Sequence, residues 1–150
     1  MGIKGKKSVD SIHKELGHIM WEYVGMGRTE EGLKTALKLL KDIRKEFETN
    51  LFIPGSTEGV NIELEKALRL NDFITMGELI AYDALNRNES CGGHFREEYQ
   101  TEEGEAKRDD ENYFYVSCWE YQGSDDVAPV LYKEPLVYEA IKVQTRNYKS

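Results

Sequence analysis

Cysteine is scarce in this sequence, with only Cys91 and Cys118 among 150 residues. Two thiols cannot form the disulfide framework of a small secreted domain, so the composition favours a reducing compartment in which both stay free. No run approaches the roughly 18 apolar residues of a membrane span, and the first residues lack the apolar stretch of a signal peptide. We therefore expect a cytoplasmic protein that associates with a membrane only through partners.

Positive charge is also in short supply. Twenty basic residues stand against 28 acidic ones, for a net charge of -8. Such a surface repels the phosphates of nucleic acids and anionic lipids, which excludes nucleic acid as a partner. The basic start at Lys4, Lys6 and Lys7 is too short to change this, and we interpret it as a solvated lead-in.

Three segments carry apolar residues at helical spacing, and each follows a residue suited to cap a helix. Ser8 precedes a helix predicted over Val9–Val24, Thr29 precedes the second, and Asn61 precedes a third that extends to Asn86. The predicted apolar stripes are Ile12, Leu16, Ile19, Met20 and Tyr23; Leu33, Ala36, Leu37, Leu40, Ile43 and Phe47; and Leu64, Ala67, Leu68, Phe73, Met76, Leu79, Ile80 and Ala84.

These helices predict a mainly α fold. Short connections place consecutive helices antiparallel, so residues 1–88 should form a three-helix antiparallel bundle resembling a spectrin repeat. Residues 97–112 are polar and acidic and predict a loop, whereas 113–121, 130–132 and 137–143 are rich in β-branched and aromatic residues. We expect residues 89–150 to form this long loop and a small antiparallel β tail packed on the bundle, giving one structural domain overall.

Motifs that could carry chemistry are weak. The segment Cys91-Gly-Gly-His94 offers a thiol and an imidazole, but a structural zinc site usually presents four ligands in paired short spacings. A nucleophilic thiol with His94 as its base has no local signature either. The glycines at 25 and 27 follow a helix rather than a strand, which indicates a turn and not a phosphate loop. We interpret both segments as structural.

The mixture of basic residues and aspartates between residues 96 and 110 is more informative than these motifs. Arg96, Lys107, Arg108, Asp109 and Asp110 lie in one irregular segment. Guanidinium groups and carboxylates can satisfy one another, or a docked neighbour, through paired hydrogen bonds. The pattern is typical of a loop that is held in place.

Three blocks in a fixed order resemble the C-terminal region of succinate dehydrogenase and fumarate reductase flavoprotein subunits. They are residues 25–33 (GMGRTEEGL), 89–99 (ESCGGHFREEY) and 108–112 (RDDEN), and the resemblance extends from about residue 8 to 149. L-aspartate oxidase shares the general pattern. The common form has arginine in place of Cys91 and a shorter step than residues 100–107. The ending, residues 133–136 and 145–149, resembles bacterial enzymes with a diheme cytochrome b anchor.

The resemblance implies a parent subunit that interconverts succinate and fumarate with FAD. Its flavin and substrate residues belong to upstream domains, so none is expected here, and no FAD or metal is expected on this chain. The implied partners are the upstream FAD and capping domains, an iron-sulfur subunit and, indirectly, a cytochrome b membrane anchor, at the inner face of the cytoplasmic membrane. Met1 followed at once by a helix suggests a fragment cut at a domain boundary.

Candidate interface or structural residues are those that carry the resemblance within the loop and the second helix: Arg28, Glu89, Ser90, His94, Arg96, Arg108, Asp109 and Asp110. Two other hypotheses remain. The chain could be a stand-alone helical protein-interaction module, or a small thiol or metal enzyme at Cys91 and His94.

Overall fold

The fold is built on three long helices. A computed structural model describes residues 4–56, 58–124 and 127–144. Helices α1 (Val9–Val24), α2 (Glu30–Asn50) and α3 (Ile62–Asn86) run up, down and up, and each packs on the other two. The predicted three-helix antiparallel bundle is confirmed, as are both ends of the first helix.

All three predicted N-caps are confirmed, because each cap is a local interaction. The side chain of Ser8 accepts a hydrogen bond from the N–H of Ser11, and the side chain of Thr29 accepts one from Gly32 at 3.0 Å. Asn61 Oδ1 accepts from the N–H of Leu64 at 3.1 Å. These bonds satisfy amide groups that have no partner within the helix.

The core lies where the three apolar stripes meet. The prediction for α3 was correct for Ala67 and Ala84 and wrong for four larger residues. Helices α1 and α2 bury the predicted residues Ile12, Leu16, Leu33 and Leu40. Helix α3 buries Ala67, Leu70, Ile74, Gly77, Ala81 and Ala84, whereas the predicted Leu68, Phe73, Met76 and Ile80 are exposed. The α3 sequence is apolar on more than one side, so helical spacing alone selects no single face.

Two very short parallel strand pairs tie the segments between the helices. Strand β1 (Lys7–Ser8) pairs with β3 (Leu51–Phe52), and β2 (Gly27–Arg28) pairs with β4 (Phe95–Arg96). The second pair fixes the loop that follows α3 against the turn between α1 and α2. Two-residue strands have no periodicity to detect, so the sequence does not predict them.

After a single turn of helix, α4 (Asp110–Tyr113), the chain forms an antiparallel hairpin. Its strands are β5 (Tyr115–Glu120) and β6 (Val130–Pro135), in a register that places Tyr115 opposite Pro135. The hairpin packs on α3, where the Trp119 indole donates to Asp83 Oδ1 at 2.8 Å and stacks edge-on against Tyr82.

The strand expected over residues 137–143 does not form, because β-branched residues make a strand only where a neighbouring strand is available to pair. The part of the predicted ending at 145–149 lies outside the described residues. Across the described part of the chain, no helix combines the length and the apolar character needed to cross a membrane.

Candidate functional site

Three helix ends meet at one end of the bundle, next to the loop that follows α3. They are the C-terminal end of α1, the N-terminal end of α2 and the C-terminal end of α3. Neither α1 nor α3 has a basic residue in its last turn. The last carbonyls of these helices, and the partial negative charge that they carry, therefore require donors from elsewhere in the chain.

Arg96 supplies the donor for α3. Its side chain is only 1% exposed, and its Nη1 donates to the carbonyl oxygens of Ala84 at 3.0 Å and Leu85 at 3.3 Å. Its Nε donates to the Glu98 carboxylate at 3.0 Å. A buried guanidinium is tolerated only when its N–H groups are paired, and here the pairing also closes the helix end.

Glu98 caps the N-terminal end of α2. Its Oε1 accepts a hydrogen bond of 2.6 Å from the N–H of Glu30, the first residue of α2. Burial works against the ionised form, but this backbone hydrogen bond and the neighbouring Arg96 outweigh it, so the pKa of Glu98 lies below its ordinary value. A carboxylate at a helix N-terminus is stabilised by the free amides there.

Arg28 performs for α1 what Arg96 does for α3. Its Nε donates to the carbonyl of Gly25 at 2.7 Å and to that of Val24 at 3.3 Å, both at the end of α1. Burial lowers the pKa of Arg28. Its Nη1 lies 2.8 Å from Nδ1 of His94, so the same side chain also holds the loop.

His94 is held between two groups that fix its tautomer. Nδ1 faces the Arg28 guanidinium, which can only donate, and Nε2 lies 2.9 Å from the carbonyl of Arg87, which can only accept. The ring is therefore neutral, with its proton on Nε2. Burial lowers the pKa of His94, and the positive charges of Arg28, Arg96 and Arg87 lower it further, against the raising effect of the carbonyl hydrogen bond.

The hydrogen bonds of His94 argue against its acting as the base for a nucleophilic Cys91. Cys91 and His94 are joined through their backbones, with hydrogen bonds of 2.8 and 3.1 Å that close a tight turn through Gly92 at φ +59°. Both His94 ring nitrogens already have partners, so the imidazole is not placed to take a proton from the thiol. No group of three or more potential metal ligands occurs in residues 4–56, 58–124 and 127–144.

Glu89 and Ser90 hold the loop that follows α3 in place through hydrogen bonds. Glu89 is 3% exposed, and its carboxylate accepts from Arg87 Nη1 at 3.2 Å and from the N–H of Asp109 at 2.9 Å. The Ser90 hydroxyl accepts from the N–H of Arg96 at 2.8 Å and donates to the Arg96 carbonyl at 3.1 Å. These bonds join the start of the loop to its middle and end.

The remaining predicted residues lie nearer the surface. Arg108 pairs with Asp110 at 2.5 Å, and this hydrogen bond raises the pKa of Arg108. Asp109 caps α4 by accepting from the N–H of Asn112 at 3.2 Å. The structure therefore brings Arg28, Glu89, Ser90, His94 and Arg96 together in one cluster, with Asp109 joined to it through Glu89, while Arg108 and Asp110 form a separate exposed pair.

Two further residues contact this cluster and were not singled out from the sequence. Glu98 lies in the segment 97–112, which the sequence predicts only as a polar, acidic loop, and Arg87 has no predicted role. Arg87 Nη2 donates to the carbonyls of Tyr113 and Tyr115, and its guanidinium lies 5.2 Å from the Tyr115 ring centroid. The absence of basic residues at the ends of α1 and α3 was the available signal that distant arginines would be needed. Within this enlarged group, the residues that cap a helix end or fix the position of His94 are Arg28, Arg87, Arg96 and Glu98. Together with His94, we call them the helix-end cluster.

Residues 13–148 match the family described as fumarate reductase flavoprotein C-term. A FAD-dependent oxidoreductase of Methanocaldococcus jannaschii is 32% identical over 97 residues, which is 65% of this chain and 17% of that protein. The fumarate reductase flavoprotein subunit of Helicobacter pylori is 29% identical over 133 residues, or 89% of this chain and 18% of that subunit.

A solved structure has the same fold. The Mycobacterium smegmatis Sdh1 complex in its apo form contains a chain that superposes with a TM-score of 0.73 at 25% identity, covering 90% of this chain and 22% of that one. The chain thus spans less than a quarter of the length of each of these relatives.

Proposed function

The chain belongs to the family of fumarate reductase flavoprotein C-terminal domains, and from that membership we propose that it is the C-terminal scaffold of a FAD-containing subunit that interconverts succinate and fumarate. The family match over residues 13–148 is the observation that carries this proposal. The chain corresponds to 17–18% of relatives described as a FAD-dependent oxidoreductase and a fumarate reductase flavoprotein subunit. The flavin and the substrate would bind in the remaining length of such a subunit.

In this proposal the domain itself performs no chemistry. The titratable groups of the helix-end cluster are occupied in capping helices and fixing the loop. Hydride transfer requires a bound flavin, and a dinucleotide fold begins with a strand, a glycine-rich turn and a helix. The glycine turn here follows helix α1 instead.

The role we assign to the domain is to present a rigid surface to the upstream FAD and capping domains. Residues 89–112 and the β5–β6 hairpin would form the contact surface. The cluster supports this role because Arg28, Arg96 and Glu98 fix the loop to all three helices at once. Electrons would leave through an iron-sulfur subunit towards a cytochrome b anchor, which would place the assembly at the inner face of the cytoplasmic membrane.

Flavin content provides the test. The isolated chain of 150 residues should show no flavin absorbance and no succinate-dependent dye reduction, whereas the full subunit encoded by the gene should show both. Bound flavin or dye reduction in the isolated chain would refute the scaffold role. A gene that encodes no further domain upstream would instead favour a stand-alone interaction module.

A further inference from the structure

A groove of about 1000 Å³ lies between α2, α3 and the far end of the β hairpin. On the α2 side it is lined by Lys38, Lys41 and Lys45, which are exposed and spaced three and four residues apart. The opposite side includes the aromatic rings of Trp119 and Tyr121. We call this feature the lysine–aromatic groove.

Most other polar groups of the groove already have partners. Arg44 Nη2 lies 2.5 Å from Glu78 Oε2, and the Trp119 indole N–H donates to the Asp83 carboxylate. The ammonium groups of Lys38, Lys41 and Lys45 have no carboxylate partner within the part of the chain that the structure describes. Glu48 lines the same groove, so the lysines leave a local excess of positive charge on a chain of net charge -8.

We propose that the lysine–aromatic groove holds an acidic, extended segment from the upstream part of the same subunit, an inference that rests on the proposed function. Successive side chains of an extended segment point to opposite sides. Alternating acidic and apolar residues would therefore place carboxylates against the lysines and apolar side chains against Trp119 and Tyr121. Nucleic acid and anionic membranes carry more negative charge, but they would also meet the repulsion of the acidic remainder of this surface.

The weakness of each contact is the reason to assign the segment to the same polypeptide. Exposed ion pairs contribute little individually, and three of them with an aromatic contact give poor affinity between separate molecules. A segment tethered to the domain has an effective concentration in the millimolar range, at which weak contacts are occupied. A lysine row of this kind suits an intramolecular contact.

The chemistry of the groove can be tested on the isolated chain with a fluorescent octapeptide of alternating glutamate and valine. Fluorescence anisotropy, titrated into the millimolar range, should detect binding that weakens at least about threefold in K38Q/K41Q/K45Q. The matched control K6Q/K14Q/K34Q makes the same change in net charge outside the groove and should bind like the parent chain. Equal weakening in both variants, or equally tight binding of a lysine–valine peptide, would overturn the proposal.

One further outcome would also overturn it. A dimer in sedimentation that disappears in K38Q/K41Q/K45Q but persists in the matched control would assign the groove to a second copy of the chain.

The source of the segment is tested by acetylating lysines with an N-hydroxysuccinimide ester in the full, flavin-loaded subunit and in the isolated chain. Labelling at Lys38, Lys41 and Lys45, read by mass spectrometry, should fall severalfold in the full subunit, while Lys14 should label equally in both. A flavin-loaded, active subunit with undiminished labelling of the three lysines would refute this inference and leave the proposed function standing. A full gene product that binds no flavin would refute the proposed function itself.

Discussion

Replacing Arg96 by methionine removes the guanidinium that closes the end of α3. Methionine fills much of the same volume without a charge, so the substitution isolates the hydrogen bonds from the packing. It leaves the carbonyls of Ala84 and Leu85 without their donor and removes the Nε–H bond to Glu98. Glu98 in turn loses part of what orients it towards the N-terminus of α2.

The expected loss follows from these contacts. Hydrogen bonds that involve a charged group contribute about 1.5–3 kcal/mol each, and breaking a buried charged pair costs about 3–5 kcal/mol. Because Glu98 is partly exposed, we expect a loss in the lower half of the second range, about 3–4 kcal/mol in the free energy of unfolding. For a domain of this size, that corresponds to a decrease in Tm of roughly 6–16 °C.

Urea and thermal unfolding followed by circular dichroism would measure both quantities. The matched control is Arg108→Met, because Arg108 pairs with Asp110 on the surface and should cost no more than about 1 kcal/mol. The loss of stability for Arg96→Lys should lie between the losses for Arg96→Met and Arg108→Met, since an ammonium keeps the charge but cannot make the divergent hydrogen bonds of the guanidinium. A loss for Arg96→Met that equals the loss for Arg108→Met would refute the capping role.

Three further predictions test other parts of the fold. His94→Gln keeps a donor and an acceptor but cannot titrate. Because folding lowers the pKa of His94, the parent chain should lose stability as the pH falls below about 6.5. Urea titrations between pH 7 and 5 should show a smaller loss of stability for the variant. Gly17→Ala should stabilise by about 0.5–1 kcal/mol because its new methyl group enters open space, whereas Gly77→Leu should cost about 1–3 kcal/mol because even a Cβ there lies 3.1 Å from Met20 Sδ. Trp119→Phe loses its hydrogen bond to α3 and should destabilise by about 1 kcal/mol, with the largest rise in amide exchange in the β5–β6 hairpin; uniform exchange changes would contradict this.

The N-caps of the three long helices could be predicted from the sequence alone. Ser8, Thr29 and Asn61 each cap through a bond to an amide three residues away, so the sequence contains both partners. The same holds for the resemblance to the flavoprotein family, because each of its three blocks is one continuous stretch of sequence; the family match confirms this resemblance.

The helix-end cluster shows where local information stops. Arg28 and His94 are 66 residues apart, and the Glu98 carboxylate caps a helix that begins 68 residues earlier. The sequence indicated a loop rich in paired charges, but it did not identify these partners. A contact surface on residues 89–112 stays a prediction.

Local sequence signals predicted the number of main helices, their N-caps, both ends of α1 and the end of α3, and the family to which the chain belongs. These depend on hydrogen bonds and apolar spacing within a few residues. Only the tertiary structure decided which face of α3 is buried, which helix ends the distant charges close, and that residues 137–143 form no third strand. These depend on neighbours distant in sequence: α1 and α2 select one of several apolar faces of α3, and a strand exists only where another strand offers its backbone.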